Sequence, residues 1–274
     1  KISGVWIMAY TTIDDPSVYF QTLLYTGNGG SQTMTNDGNS DLQPDFLWIK
    51  QRSGTENHYL GNSSIANKFL NSDRNDSEST NISGKELTYN SDGFAFAGSD
   101  STWNGSSSTY VAWQWKANGG STSSVSASGS GITEILASSH QANTTAGFSI
   151  VTWTSNNSEA YVSHGLGAIP HWIIMKDRES GSANWVVHHN KVETDGAMLL
   201  NSNTAKDDSS FFRDSNAVST GSPTSSIFKL GTQGHTGGHT NDMVAYCWAP
   251  IQGFSKFGSY TGNGNADGPF IYTG

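Results

Sequence analysis

The sequence predicts an all-β chain made of tandem antiparallel β-sandwich domains. Three observations predict it. The same short segments recur in the same order. Apolar runs are short and evenly spaced, with Gly, Asn and Ser between them. No window of eleven or more residues carries a helical period. Composition agrees: charged residues are 14% against about 25% in ordinary domains, and 11% aromatics separate the chain from a disordered one.

The recurrence is plainest near the C-terminus. Val244-Ala245-Tyr246-Cys247-Trp248 repeats Val111-Ala112-Trp113-Gln114-Trp115. Tyr260-Thr261-Gly262-Asn263-Gly264 repeats Tyr25-Thr26-Gly27-Asn28-Gly29. Taken in order, residues 1–18 hold one apolar run, Val5–Tyr10, readable as a leading strand or the end of a preceding unit. The first sandwich repeat spans 19–117. Its second landmark, Pro44 to Lys50 and Arg52, returns as Pro170 to Lys176 and Arg178 with identical spacing. The apolar run inside each landmark fits a core strand. Phe69-Leu70-Asn71 matches Leu199-Leu200-Asn201, and Phe94-Ala95-Phe96 matches Phe228-Lys229-Leu230. Residues 118–130 read as a flexible Ser/Gly linker.

The second repeat spans 131–274. Within it, 253–274 is either the start of a third copy or a set of closing strands, and closing strands are the favoured packing. Phe254 to Tyr260 is one residue longer than Phe20 to Tyr25 or Phe148 to Trp153, which predicts a β-bulge. In the Val-Ala-aromatic-x-Trp strand, alternation puts Val111, Trp113 and Trp115 on one face, as it does Val244, Tyr246 and Trp248. The bulky face is expected to be the core.

A formal charge of −9 argues against a nucleic-acid partner, which needs a basic face. No apolar run reaches the ~18 residues of a membrane span, so no insertion is expected. No signal peptide opens the chain, and the abrupt start at Lys1 leaves open a longer parent. The single Cys247 excludes an internal disulfide and reads as a small buried residue.

Catalytic signatures are weak. The glutamates stand singly, and adjacent pairs such as Asp14-Asp15 and Asp207-Asp208 would point apart in an extended strand. His235 and His239 have i, i+4 spacing, but two intervening glycines make a loop, and a zinc site needs a third ligand. Asp73-Arg74-Asn75-Asp76 lacks the rest of a calcium loop. No metal, cofactor or enzymatic activity is therefore expected. What remains is recognition through aromatic platforms and amide groups. Trp103 and Asn104, in a loop without apolar neighbours, and the Phe211-Phe212 pair are the candidate ligand-binding residues, although local packing is the favoured reading for Trp103. The phenylalanine pair could instead anchor a neighbouring subunit. Tyr59 and Trp185 recur at matching places and read as packing.

Several segments in order resemble a repeat found in tail-fibre and other virion proteins of marine tailed bacteriophages. They are Gly147-Phe148-Ser149-Ile150-Val151, His164-Gly165-Leu166-Gly167, the Pro-x5-Lys-x-Arg landmark, Pro223 to Phe228, Ala245 to Trp248 and Phe257 to Phe270. The resemblance covers most of 19–274. It implies sandwiches of concanavalin-like, jelly-roll or SPRY-like type, acting as structural modules at the extracellular virion surface. It implies no catalytic residues. The implied partners are other virion proteins, a host surface glycan and further copies of the chain, with a trimer as the family-level guess. The rival reading is a secreted bacterial lectin or adhesin with a sugar pocket, followed by a glycan hydrolase.

Overall fold

The computed structural model describes residues 11–80, 83–192, 196–206, 211–212 and 222–272. Among the described residues, seventeen strands form four antiparallel sheets. In the first repeat they are β1 (Phe20–Thr26), β2 (Gln32–Met34), β3 (Phe46–Gln51), β4 (Tyr59–Asn62), β5 (Ile65–Leu70), β6 (Leu87–Tyr89), β7 (Phe94–Phe96) and β8 (Thr109–Trp115). The second holds β9 (Ser123–Val125), β10 (Ser138–Asn143), β11 (Phe148–Thr154), β12 (Ala160–Ser163), β13 (Trp172–Asp177), β14 (Val186–His189), β15 (Met198–Leu199), β16 (Ile227–Leu230) and β17 (Asp242–Trp248).

The repeat is visible in the strand order. The first unit has a five-stranded sheet, β1-β8-β3-β4-β5, and the second reproduces it as β11-β17-β13-β14-β15. Register repeats too: Phe20 faces Trp115 and Phe148 faces Trp248. Each unit closes with a smaller sheet, β2-β7-β6 in the first and β12-β16 in the second. The second main sheet grows to seven strands because β10 and β9 extend it beyond β11. None of the helical elements among the described residues is long and apolar enough to cross a membrane.

Three buried clusters follow from strand alternation. One lies inside the first unit and includes Leu47, Ile49, Phe94, Phe96, Tyr110 and Ala112. A second lies inside the second unit and includes Val151, Trp153, Ile173, Phe228, Met243 and Cys247. The third lies between the units, where Phe46, Trp48 and Trp115 meet Phe148, Tyr246 and Trp248. The two main sheets are thus packed face to face.

The bulky face of β17 is buried as expected, but the core it fills is the one between the units, and the same face of β8 is only half-buried. Val244, Tyr246 and Trp248 line the seam between units, while the opposite face, Met243, Ala245 and Cys247, fills the unit's own interior. In the first unit Tyr110 and Ala112 point inward and Trp115 points to the seam. The reason is steric. Aromatic rings reach the interior from other elements, Trp103 and Phe96 in one unit and Trp153 and Phe228 in the other, and the small Ala112 of β8 and Ala245 and Cys247 of β17 leave room for them.

Polar ties lock the seam. Phe46 stacks on Tyr246 with centroids 4.0 Å apart, and Asn62 Nδ2 donates to the Tyr246 hydroxyl at 2.8 Å. The segment after β5 reaches across to the second unit. Trp185 Nε1 donates to the Asn71 carbonyl at 2.8 Å, and Arg178 grips Glu78 with both Nε at 2.8 Å and Nη2 at 3.1 Å. The landmark lysines have a structural role. Lys50 Nζ donates to the carbonyls of Gln51 and Gly54, and Lys176 Nζ to those of Asp177 and Ser180. Each ammonium holds the turn that ends its strand. Lys176 also donates to Asn75 of the first unit, and its burial draws its pKa down to about 8 against the upward pull of Asp177 and Asp76.

Two boundary expectations change. The linker is held in place. The buried Asp45 carboxylate accepts from the backbone N–H groups of Ala117, Gly119 and Gly120 and from the Ser63 hydroxyl, and Ser123–Val125 forms an edge strand. Its glycines serve as donors at positive φ, 62° and 82°, rather than as slack. Residues 253–272 supply no closing strand; they carry one isolated bridge, Ile251 to Ser255, and no bulge forms between Phe254 and Tyr260. The leading run Val5–Tyr10 lies outside the described residues, and 11–18 hold a short turn capped by Asp15, whose carboxyl is pulled below its usual range by the Ser17 and Ser40 hydroxyls.

Candidate functional site

The four residues expected to bind ligand are buried and are not brought together. Trp103 is 1% exposed and packs against Tyr59, Phe69 and Phe96, so it is a core residue of the first unit rather than a platform. Asn104 is fully buried; its side chain accepts from the Asn28 N–H and donates to the Gly30 and Gly98 carbonyls. It ties loops together and has no group left to offer a ligand. Phe211 and Phe212 belong to the interior of the second unit, facing His235 and His188. They neither bind at the surface nor anchor a neighbour. Tyr59 and Trp185 are packing residues, as expected.

The metal and carboxylate candidates are also occupied by the protein. Asp73 caps the His58 N–H, Arg74 pairs with Asp76, and the Asn75 carbonyl takes Lys176. The His235 ring accepts from the Asn184 N–H, while His239 sits against Gly234 in the same loop. Among the described residues no three His, Cys, Asp or Glu side chains converge. Asp207 and Asp208 lie outside the described residues. Cys247 is buried, and burial raises its thiol pKa, which makes it a poor nucleophile.

The concave feature that the fold does build is an aromatic cleft of about 330 Å³ at one end of the seam. It exists because β1, β8, β11, β13 and β17 all bring a ring to that end: Phe20, Trp115, Phe148, Trp172 and Trp248. The rings form a connected set. Trp172 stacks on Trp248 at 4.5 Å, Phe148 lies 5.2 Å from Trp248, and Phe20 lies 4.9 Å from Trp115. Phe254 and Phe257 close one side; Phe254 meets Tyr19 edge-on at 6.2 Å, and Phe257 lies 6.3 Å from Trp172. Lys256 is the single charged residue of the lining. Such a surface favours apolar rings and offers few donors to a polyol.

A second hollow of about 350 Å³ is polar, lined by Asp73, Arg74, Asn75, Asn184, Asn201 and Ser202. Asn201 Nδ2 donates to Asn184 Oδ1 at 2.9 Å, so part of its capacity is used internally. A third hollow of about 400 Å³ sets Trp153 beside Arg178, Asp242 and several hydroxyl groups, though Trp153 itself is buried.

The sequence held one signal for the cleft, the tryptophan ending both Val-Ala-aromatic-x-Trp strands, but its pattern points to a core position and not to an open cleft. Phe20 and Phe148 open the recurrent segment and Trp172 lies in the second landmark, but nothing in the sequence shows that they share a cleft.

No curated protein and no solved structure matches this chain. A family model does, described as a domain of unknown function, DUF7483, and it matches residues 15–274. The chain, with its two face-to-face sandwich units, therefore belongs to the DUF7483 family.

Proposed function

We propose that this chain is a non-enzymatic structural module of a tailed-phage virion, working in a tail fibre, spike or head decoration at the particle surface. The seam is the observation that carries the reading. A sandwich that recognises a ligand commonly keeps one broad sheet face open; here both broad faces are spent on each other, with Phe46 on Tyr246 at their centre. The product is a stiff two-unit block bound by aromatic packing and by the buried Arg178–Glu78 pair. Its loops remain free to meet other virion proteins or a host surface glycan, and copies of the block associate with one another. The sequence resemblance to marine phage virion repeats points the same way.

The test is location. Antibody raised against the chain should label assembled phage particles in immunogold microscopy, and peptides of the chain should copurify with the particles. Particles free of the chain would overturn the reading. A glycan array on the same protein separates the rival: tight binding of one defined sugar by a protein absent from particles would make it a lectin or adhesin.

A further inference from the structure

The aromatic seam stays open at the cleft, where Phe20, Trp115 and Trp172 are only half-buried. The chain leaves the cleft wall at Phe257 and continues as an arm, residues 258–272, without a strand. Large apolar side chains stand in solvent along this arm: Tyr260 is 69% exposed, Phe270 91% and Tyr272 68%. The arm stays beside the cleft, because Lys256 Nζ donates to the Tyr272 carbonyl at 3.3 Å and sits 4.9 Å from its ring centroid.

The repeat shows that such a side chain is normally covered. Tyr260 holds the place of Tyr25 in the first unit and Trp153 in the second. Tyr25 stacks on Tyr110 at 5.1 Å, and Trp153 meets Phe228 at 5.6 Å. In the arm that position is bare.

We propose that the arm of one copy docks in the aromatic cleft of a second copy, with Phe270 foremost. Continuity supports this: the cleft prolongs a seam whose closed part is already filled by rings from a like sandwich. Chemistry supports it, since a cleft with one cation suits rings rather than a charged polymer. Area supports it as well. Three rings at ~150–250 Å² each give roughly 900–1,500 Å² for two exchanged arms. The cleft walls add to this, and a stable interface needs about 1,200–2,000 Å². One arm and one cleft per copy allow a closed ring or a reciprocal pair. The inference rests on the self-association in the virion-module reading, yet can fail while that reading stands, because other faces can join copies.

The test is sedimentation velocity on the full chain at micromolar concentration, beside Phe270→Ser and a chain ended after Phe257. The full chain should sediment as a closed oligomer, and both variants as folded monomers that still melt cooperatively, at a midpoint that no longer depends on protein concentration. A photo-crosslinking residue in place of Phe270 should capture the cleft wall of another copy. A monomeric full chain, an oligomer that persists in Phe270→Ser, or crosslinks confined to the same chain would each overturn the docking. In the second case the virion-module reading survives and is judged by particle labelling alone.

Discussion

Phe46 of the first unit and Tyr246 of the second lie ring on ring at 4.0 Å, the shortest aromatic contact between the repeats. It sits at the centre of a seam that other rings and hydrogen bonds extend, so a change there reports whether the units unfold together. Phe46→Ala should cost about 3–5 kcal/mol and lower the melting of both units, as followed by calorimetry. Tyr246→Phe removes only the hydroxyl that accepts from Asn62, leaving a buried donor unpaired at a cost of about 1–3 kcal/mol. Two separated transitions in the parent protein would contradict the seam as a stabilising interface.

The Arg178–Glu78 pair is about nine-tenths buried and joins the units through two hydrogen bonds. Removing Glu78 takes the closest partner from the buried Arg178 and leaves it only Asp242, at 3.5 Å and half-exposed. Glu78→Ala should destabilise by roughly 3 kcal/mol, whereas replacing both residues by apolar ones should cost less than the sum of the single changes. Urea unfolding of the single and double variants measures the coupling. Additive costs would show that the pair does not interact.

Stability should fall with mild acid. Burial holds His164 and His188 at a pKa of about 4, against about 6.5 when exposed. The Thr224 carbonyl partly opposes the shift at His164, while His189 and His171 add to it at His188. The unfolded chain therefore takes up protons first as pH drops. Stability carried by these two rings is complete above pH ~6.5, declines between 6.5 and 4, and is gone below. Each contributes up to about 3 kcal/mol. Denaturant midpoints measured through that window should fall, and His188→Phe should flatten part of the slope. A midpoint constant from pH 7 to 4.5 would contradict the burial.

Trp103→Ala tests the corrected role of that residue. It should cost about 3–5 kcal/mol by opening a cavity among Tyr59, Phe69 and Phe96. The effect should appear in the melting of the protein and leave any glycan-array signal of the folded protein unchanged. A fully stable variant that loses sugar binding would restore the platform role.

Strand existence was legible wherever an apolar run was continuous. Phe46–Gln51 and Trp172–Asp177 are such runs, and their matching landmarks made the repeat visible before any fold. Which face pointed inward was not legible. A strand such as β17 is buried on both faces, so alternation of size does not separate a unit's interior from the seam. Trp103 misled because its sequence neighbours are polar, while its packing partners come from three distant strands or turns. Asn71, Asn75 and Glu78 sit in a polar stretch that looks like any solvated loop, and only the fold shows that it crosses to the other repeat. The cleft was hidden for the same reason: its five rings come from five strands.

The seam also gives the repeat a parity. A lone sandwich of this type would carry Phe46, Trp48 and Trp115, or Phe148, Tyr246 and Trp248, as an open apolar face. Pairing hides both faces, so the smallest well-behaved piece is a couple, and an odd unit must find a mate. The two members of a couple then part ways in sequence: the residue after the shared proline is Asp45 in one, where it clasps the N–H groups of the joining segment, and His171 in the other.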